Sequence, residues 1–106
     1  CAAEQNRFWD YSNMLYANQK GEGTGAFSDT RLKAFSAALG LDETAFNRCL
    51  SSSRAAGSVL TDERAAGAAG LNSTPSLLVN EVRVANPLNY DQVKAAIDAA
   101  LGTPAN

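Results

Sequence analysis

A single proline sets the strongest limit on what this chain can fold into. In the stretch Asn72-Ser73-Thr74-Pro75-Ser76-Leu77-Leu78-Val79-Asn80-Glu81-Val82-Arg83-Val84, a Thr-Pro step stands ahead of two short apolar runs. Pro75 has no N–H to give to a sheet ladder, so it belongs at the first position of a strand or just before it, where the chain turns. An X-Pro bond is also the one peptide linkage for which the cis form costs little. Residues 77–79 are too few and too uniformly apolar for a surface helix, and they predict a strand buried on both faces. Val82 and Val84 alternate with Glu81, Arg83 and Ala85, as in a strand with one wet face. The two runs are close enough for a hairpin turning at Asn80-Glu81.

Upstream of that stretch the periodicity is helical. Phe8, Tyr11 and Leu15 recur at i, i+3 and i+7, and Trp9 and Tyr16 widen the stripe. This predicts a helix over about residues 2–20 whose aromatic face packs into the core rather than forming a ligand box. Gly21-Glu22-Gly23-Thr24-Gly25 ends it, because glycine has the highest ordering cost of any residue. Alternating glycines resemble a phosphate cradle, but that motif follows a strand, and here a helix precedes, so the segment reads as a linker.

Ser28 or Asp29 suits the N-cap of a second helix with Leu32, Phe35 and Leu39 on one face, and Gly40 suits its left-handed end. Asp42 caps a third, in which Phe46, Cys49 and Leu50 share the inner face. Residues 51–54 break the pattern. A fourth, alanine-rich helix is expected over about residues 55–69, with Val59 and Ala66 inward and Gly70 as its stop. Gly57 and Gly67 each cost about 1 kcal/mol in a helix interior, which suggests close approach to a neighbouring element there. Asp62-Glu63-Arg64 reads as a solvated helix face rather than paired acids for proton transfer. After the hairpin, Asn86-Pro87 turns the chain and Asn89 with Gln92 forms a capping box. Val93, Ile97 and Leu101 then mark a last helix, which Gly102 and Pro104 end, with fraying expected from Thr103. The sum is an α+β chain, mostly helical.

Composition excludes more than it identifies. At 106 residues, 45% of them apolar, the chain can fill one core. A net charge of -2 with scattered Lys and Arg offers no basic stripe for a phosphate backbone, so nucleic acid is not an expected partner. No apolar run approaches the roughly 20 residues of a membrane helix, and no charged-then-apolar leader opens the chain. There is no histidine, which removes the commonest general base, the Ser-His and Cys-His nucleophile pairs, and most zinc and haem sites. No metal site and no cofactor are expected.

Two cysteines, Cys1 and Cys49, remain. Neither has a second Cys two or three residues away, so a metal knuckle is out. Either they form a structural disulfide or they are free thiols, buried or reactive; an N-terminal Cys can also carry the lipid of a processed lipoprotein. A disulfide closing a loop of that size is worth roughly 4 kcal/mol by chain entropy and implies an oxidising compartment.

Three stretches in order carry a resemblance. They are Cys1-Ala2-Ala3-Glu4-Gln5-Asn6-Arg7-Phe8-Trp9-Asp10-Tyr11; Leu39-Gly40-Leu41-Asp42 with Phe46 and Cys49; and Ser73-Thr74-Pro75-Ser76-Leu77-Leu78-Val79-Asn80. Together they resemble successive landmarks of the bacterial DsbA-like thiol-disulfide oxidoreductases over nearly the whole chain. The resemblance implies a partial thioredoxin-like fold: a four-helix insertion region in residues 1–71, then, in residues 72–106, a β-hairpin after a cis-Pro and a C-terminal helix. It implies a cis Thr74-Pro75 bond and a structural disulfide between Cys1 and Cys49. It also implies that Ser73, Thr74 and Pro75 form a substrate-binding loop, with the backbone of Thr74 free to pair with an extended peptide.

The family's redox pair, a Cys-x-x-Cys at a helix N-terminus where one thiol's pKa is lowered, does not occur here. No catalytic residue is therefore assigned, and the opening strands of the fold are missing as well. Glu81 and Ala85 stand where glycine is common in the family. What the resemblance implies is the C-terminal part of an extracytoplasmic, periplasmic or secreted oxidoreductase, inactive alone, whose partners are substrate polypeptides with cysteines. Two other classes compete: a non-catalytic binding or scaffold module, and a glutathione-dependent transferase or isomerase of the same superfamily. Missing central strands would leave an unpaired edge at residues 77–79, from which a homodimer or swapped assembly is expected.

Overall fold

A computed structural model describes residues 1–102. The chain divides into two compact units, Cys1–Asp62 and Glu63 onward. Each is built by local rules that can be named.

The first unit opens with a 3-10 turn, Ala3–Gln5, and continues with α1 (Phe8–Ala17), α2 (Asp29–Ala38) and α3 (Glu43–Ser51); α4 (Arg54–Ala68) starts within it. The single helix expected over residues 2–20 is thus interrupted. Asn6 takes a left-handed conformation at φ 58°, and the amides of Asn6 and Arg7 bond back to Ala3 and Ala2. Asparagine tolerates that region better than most residues, so the turn ends there and α1 starts afresh. The caps follow the sequence signals. Ser28 Oγ accepts from the Arg31 amide and Asp42 Oδ1 from the Ala45 amide, each satisfying a donor that the first helical turn leaves free. Gly40, at φ 69°, reverses the chain after α2 where a side chain would be strained.

The core of this unit gathers Ala2, Tyr11, Phe35, Leu41 and Phe46, with Leu15, Leu32, Leu39 and Leu50 packed around them. Tyr11 sits at its centre: its ring lies 5.3 Å from Phe46 and 6.5 Å from Phe35, and its hydroxyl donates to the Leu32 carbonyl at 2.8 Å. The wider aromatic stripe does not enter. Trp9 is 75% exposed, Tyr16 is similarly open and Phe8 is half exposed. Periodicity fixed which residues share a face of α1; only the residues on the α2 and α3 side of that face found cover. Val59, expected to point inward from α4, is exposed too. An added Cβ at Gly57 or Gly67 would meet nothing within 4 Å, so the close approach expected at these glycines does not occur.

In the second unit, β1 (Leu78–Val79) pairs antiparallel with β2 (Val82–Arg83), Leu78 opposite Arg83 and Val79 opposite Val82. The Val84 amide extends the ladder to the Leu77 carbonyl at 2.9 Å. Asn80 and Glu81 make the two-residue turn, both with positive φ (46° and 66°), as a hairpin of this length requires. The strand at residues 77–79 is half-buried rather than covered on both faces, and of the two valines of the second strand only Val84 is buried while Val82 is exposed. Among the described residues pairing is confined to these two strands, so each keeps one unpaired edge.

α5 (Tyr90–Leu101) packs on β1. Asn89 Oδ1 caps it by accepting from the Gln92 amide, but Gln92 Oε1 accepts from the Asn86 amide instead of closing the reciprocal box, which ties the Asn86-Pro87 turn to the helix start. Lys94 and Asp98 pair along its side. Its apolar face is covered only at its start: Val93 is half-buried, whereas Ile97 and Leu101 are exposed. Gly102 ends it at φ 72°; Pro104 and the tail from Thr103 lie outside the described residues. The architecture is mostly helical α+β, consistent with a partial thioredoxin-like fold.

Candidate functional site

Two places carry the residues singled out from the sequence, one in each unit. In the second unit, Ser73, Thr74 and Pro75 stand exposed just ahead of β1, and the Thr74–Pro75 bond is cis. Pro75 has no amide hydrogen, and no hydrogen bond within the described residues engages the backbone of Thr74. One N–H and one C=O are therefore open side by side at a sheet end. The loop is held by its neighbours. Ser76 Oγ donates to the Ser73 carbonyl, and Arg83 reaches from the second strand to Ser73 Oγ at 3.3 Å. The Arg83 contact was not anticipated; its only sequence signal is the hairpin register, which brings residue 83 opposite residue 78 and back toward the loop.

In the first unit Cys1 and Cys49 are joined, with their Cα atoms 5.6 Å apart. Cys49 is buried on α3 at 2% exposure, whereas Cys1 is half-buried. The segment that Cys1 begins has two further ties. Gln5 makes two hydrogen bonds with Asp42, its Oε1 accepting from the Asp42 amide at 2.8 Å and its Nε2 donating to the Asp42 carbonyl at 3.1 Å. Glu4 pairs with Arg54 at 2.8 Å, and both side chains are at least half exposed. Exposed ion pairs contribute about 0–1 kcal/mol and single hydrogen bonds about 1 kcal/mol, against roughly 4 kcal/mol for closing the loop covalently. The disulfide is the dominant tie.

This segment forms one wall of an open cavity of about 830 Å³, whose other walls include Tyr11, Leu15, Phe46 and Leu50. Exposed Phe8, Tyr16, Phe27 and Val59 extend the apolar lining to the rim. Sequence patterning could not find this cavity, because apolar spacing is the same for a covered face and an uncovered one. Burial pushes the Tyr11 phenol above its ordinary value of 10.0. Among the described residues no group of His, Cys, Asp and Glu is arranged to hold a metal ion, and no helix is long and apolar enough to cross a membrane. The second unit thus provides a peptide edge and the first an apolar cavity.

Comparison with known proteins adds the family. Over 102 residues the chain is 30% identical to part of an Na(+)/H(+) antiporter, NhaA 3, from Salinispora tropica; the alignment takes in 96% of this chain and 15% of that protein's length. No solved structure matches. The family described as thioredoxin matches residues 1–99, which takes in the 3-10 turn, all four helices that follow it, the hairpin and most of the last helix. On that match, the chain belongs to the thioredoxin family.

Proposed function

We propose that these residues are the C-terminal portion of an extracytoplasmic, DsbA-like thiol-disulfide oxidoreductase domain, in which residues 1–71 are a helical insertion and residues 72–106 the closing β-β-α of the fold. The observation that carries this reading is the open backbone of Thr74 in an exposed loop ahead of the hairpin. An extended polypeptide adds to such an edge through main-chain hydrogen bonds, which recognise no particular sequence, as suits an enzyme that must handle many partners. Ser73, Thr74 and Pro75 are the substrate-binding residues of this reading, and Cys1 and Cys49 are structural. The disulfide supports an oxidising compartment. The redox Cys-x-x-Cys is supplied from elsewhere in the polypeptide, since this sequence has none.

The test has two arms. An insulin-reduction assay on this chain is expected to give only the uncatalysed rate, because the sole disulfide has its inner sulfur buried. In a nuclear magnetic resonance titration with an unfolded, cysteine-containing peptide, the Ser73 and Thr74 amides are expected to shift first. Turnover by this chain alone, or shifts confined to other residues, sinks the reading.

A second reading, a non-catalytic binding or scaffold module, draws on the similarity to a stretch of a protein named as an antiporter. A polypeptide that contains these residues and has no Cys-x-x-Cys anywhere would favour it. In either case the uncovered strands and the exposed apolar residues support a homodimer or swapped assembly, and a monomer by sedimentation at high concentration would count against that association.

A further inference from the structure

We infer that Arg83 gives the Thr74 edge a preference for peptides that carry a carboxylate beside the residue they pair there. The inference deepens the proposed function and rests on it, since it names which extended polypeptides that edge favours. It starts from how little main chain the loop can offer. The Ser73 carbonyl is already engaged by Ser76 Oγ, and the Leu77 carbonyl accepts from the Val84 amide across the hairpin. Between them, Thr74 presents one open N–H and one open C=O, a single residue's worth of ladder. Hydrogen bonds in that number fall far short of the freedom lost on association, so a bound peptide needs a side-chain contact as well.

One charged side chain is in place to supply it. Exposed Arg83 crosses from β2 and donates through one Nη to Ser73 Oγ at 3.3 Å, on the residue next to Thr74. Residues 72–77 carry no charge of their own, and none of the carboxylates among the described residues pairs with Arg83. A guanidinium with five donors thus spends one of them, and that on a neutral hydroxyl. In a paired strand the residue opposite Ser73 stands with its Cβ roughly 5 Å from that of Ser73. A Glu or Asp there reaches the guanidinium, and two parallel N–H···O bonds to a carboxylate displace a long bond to a hydroxyl. Two other charged groups flank the hairpin. Glu81 sits in the turn, beyond the other end of β1 from Ser73, and Lys94 on α5 is paired with Asp98. Arg83 is therefore the charge that contacts the loop, and its sign favours acidic side chains.

Three short cysteine-containing peptides test the preference, alike except at the two positions flanking the central residue, which hold Glu, Gln or Lys. Placing the residue on both sides makes the design independent of strand direction. Titrated into this chain and followed at the Ser73 and Thr74 amides, the Glu peptide is expected to bind about three- to fivefold tighter than the Gln peptide, with the Lys peptide weakest. The Arg83 Nε–H signal should move with the Glu peptide alone, and the preference should shrink at about 0.5 M salt. Arg83→Gln is expected to bring the three peptides within about twofold of one another, while the Gln-peptide affinity and the protection of the Val84 amide stay as they were. Equal affinity of the parent for the Glu and Gln peptides overturns the preference and leaves the Thr74 edge standing. So does a preference that survives Arg83→Gln, or a variant that weakens the Glu and Gln peptides alike, which would make Arg83 a brace for the loop. Tightest binding of the Lys peptide would give the choice to Glu81 instead. Should Arg83→Gln lose the Val84 protection, the parent's Nε–H signal decides, and its failure to move with the Glu peptide overturns the inference. No shift at Ser73 or Thr74 with any of the peptides removes the proposed edge itself, and this preference with it.

Discussion

The two units differ in how they bury what they have. In the first, three helices and a turn converge on Tyr11, and the buried set runs from Ala2 to Cys49, with a disulfide joining Cys49 to the half-buried Cys1. In the second, a two-stranded hairpin and one helix leave Val84 as the one fully buried hydrophobic among the described residues, while Val82, Ile97 and Leu101 stay exposed. Isolated hairpins are marginal in water, and one packed helix adds a single face. The contrast teaches that the local signals of caps, turns and periodicity were met equally in both, but they produce a self-supporting core only where three faces meet. The second unit has the hairpin and helix of a partial thioredoxin-like fold, with much of the apolar surface of its described residues left exposed.

Core truncations probe that contrast most strongly. Phe46→Ala removes a ring that is 2% exposed and touches Tyr11, and is expected to cost the first unit about 3–5 kcal/mol in urea unfolding. Val84→Ala should cost only about 2 kcal/mol, yet lose the hairpin, because among the described residues of this unit no other hydrophobic side chain is fully buried. Amide protection at Leu41 and at Val84 separates the two effects. If Phe46→Ala lowers protection at Val84 as much as at Leu41, the units unfold as one and the comparison fails.

Glu81 offers a change in the opposite direction. It holds φ 66° in the hairpin turn, where a side chain is strained and glycine is not. Glu81→Gly is therefore expected to stabilise the second unit by about 1–2 kcal/mol, the usual cost of a left-handed residue with a side chain. The gain would appear as slower exchange at the Val84 amide, which bonds across the hairpin to Leu77. No gain would mean that the hairpin is limited by its missing cover rather than by its turn.

Much of this was legible in the residues. Ser28, Asp42 and Asn89 each cap the helix they precede, Gly40 and Gly102 take the left-handed ends, and the turn falls at Asn80-Glu81. These are short-range effects, decided within four or five residues. What could not be read depends on distance. The Gln5–Asp42 bonds and the Glu4–Arg54 pair join residues 37 and 50 positions apart, which no local pattern encodes. Trp9 and Val59 have the spacing of core residues and are exposed, since a helical stripe reports a shared face and not what lies opposite it. At the candidate site, Pro75 marked from its missing N–H where ladder pairing cannot begin. The reach of Arg83 to Ser73 is a property of register that no local pattern encodes.

Tyr11 gives a smaller effect with a pH signature. Its hydroxyl joins α1 to the Leu32 carbonyl of α2, so Tyr11→Phe is expected to cost the first unit about 1 kcal/mol at neutral pH. Burial raises the phenol above 10.0 in the folded chain. The proton is kept by both states below that value. As pH rises past it, the unfolded chain gives up its proton first, so stability falls until the folded phenol also ionises. Urea midpoints measured from pH 8 to 11 should therefore decline more steeply for the parent than for Tyr11→Phe. Parallel declines would mean that the alkaline loss comes from elsewhere.

The smallest expected effect gives the sharpest comparison, because it places the same substitution in both units. Gly57 and Gly67 lie in the interior of one helix, α4, on either side of the division between the units, and neither has an atom within 4 Å of where a Cβ would stand. Alanine at either position should stabilise the helix by about 0.5–1 kcal/mol through the lower backbone entropy it loses on folding, with no new contact to confuse the reading. If the units open independently, Gly57→Ala slows exchange at Leu41 and leaves Val84 unchanged, while Gly67→Ala does the reverse. If α4 transmits stability along its length, each variant slows both. The intrinsic propensity gain is the same at the two sites, so any difference between them measures how far one unit draws on the other.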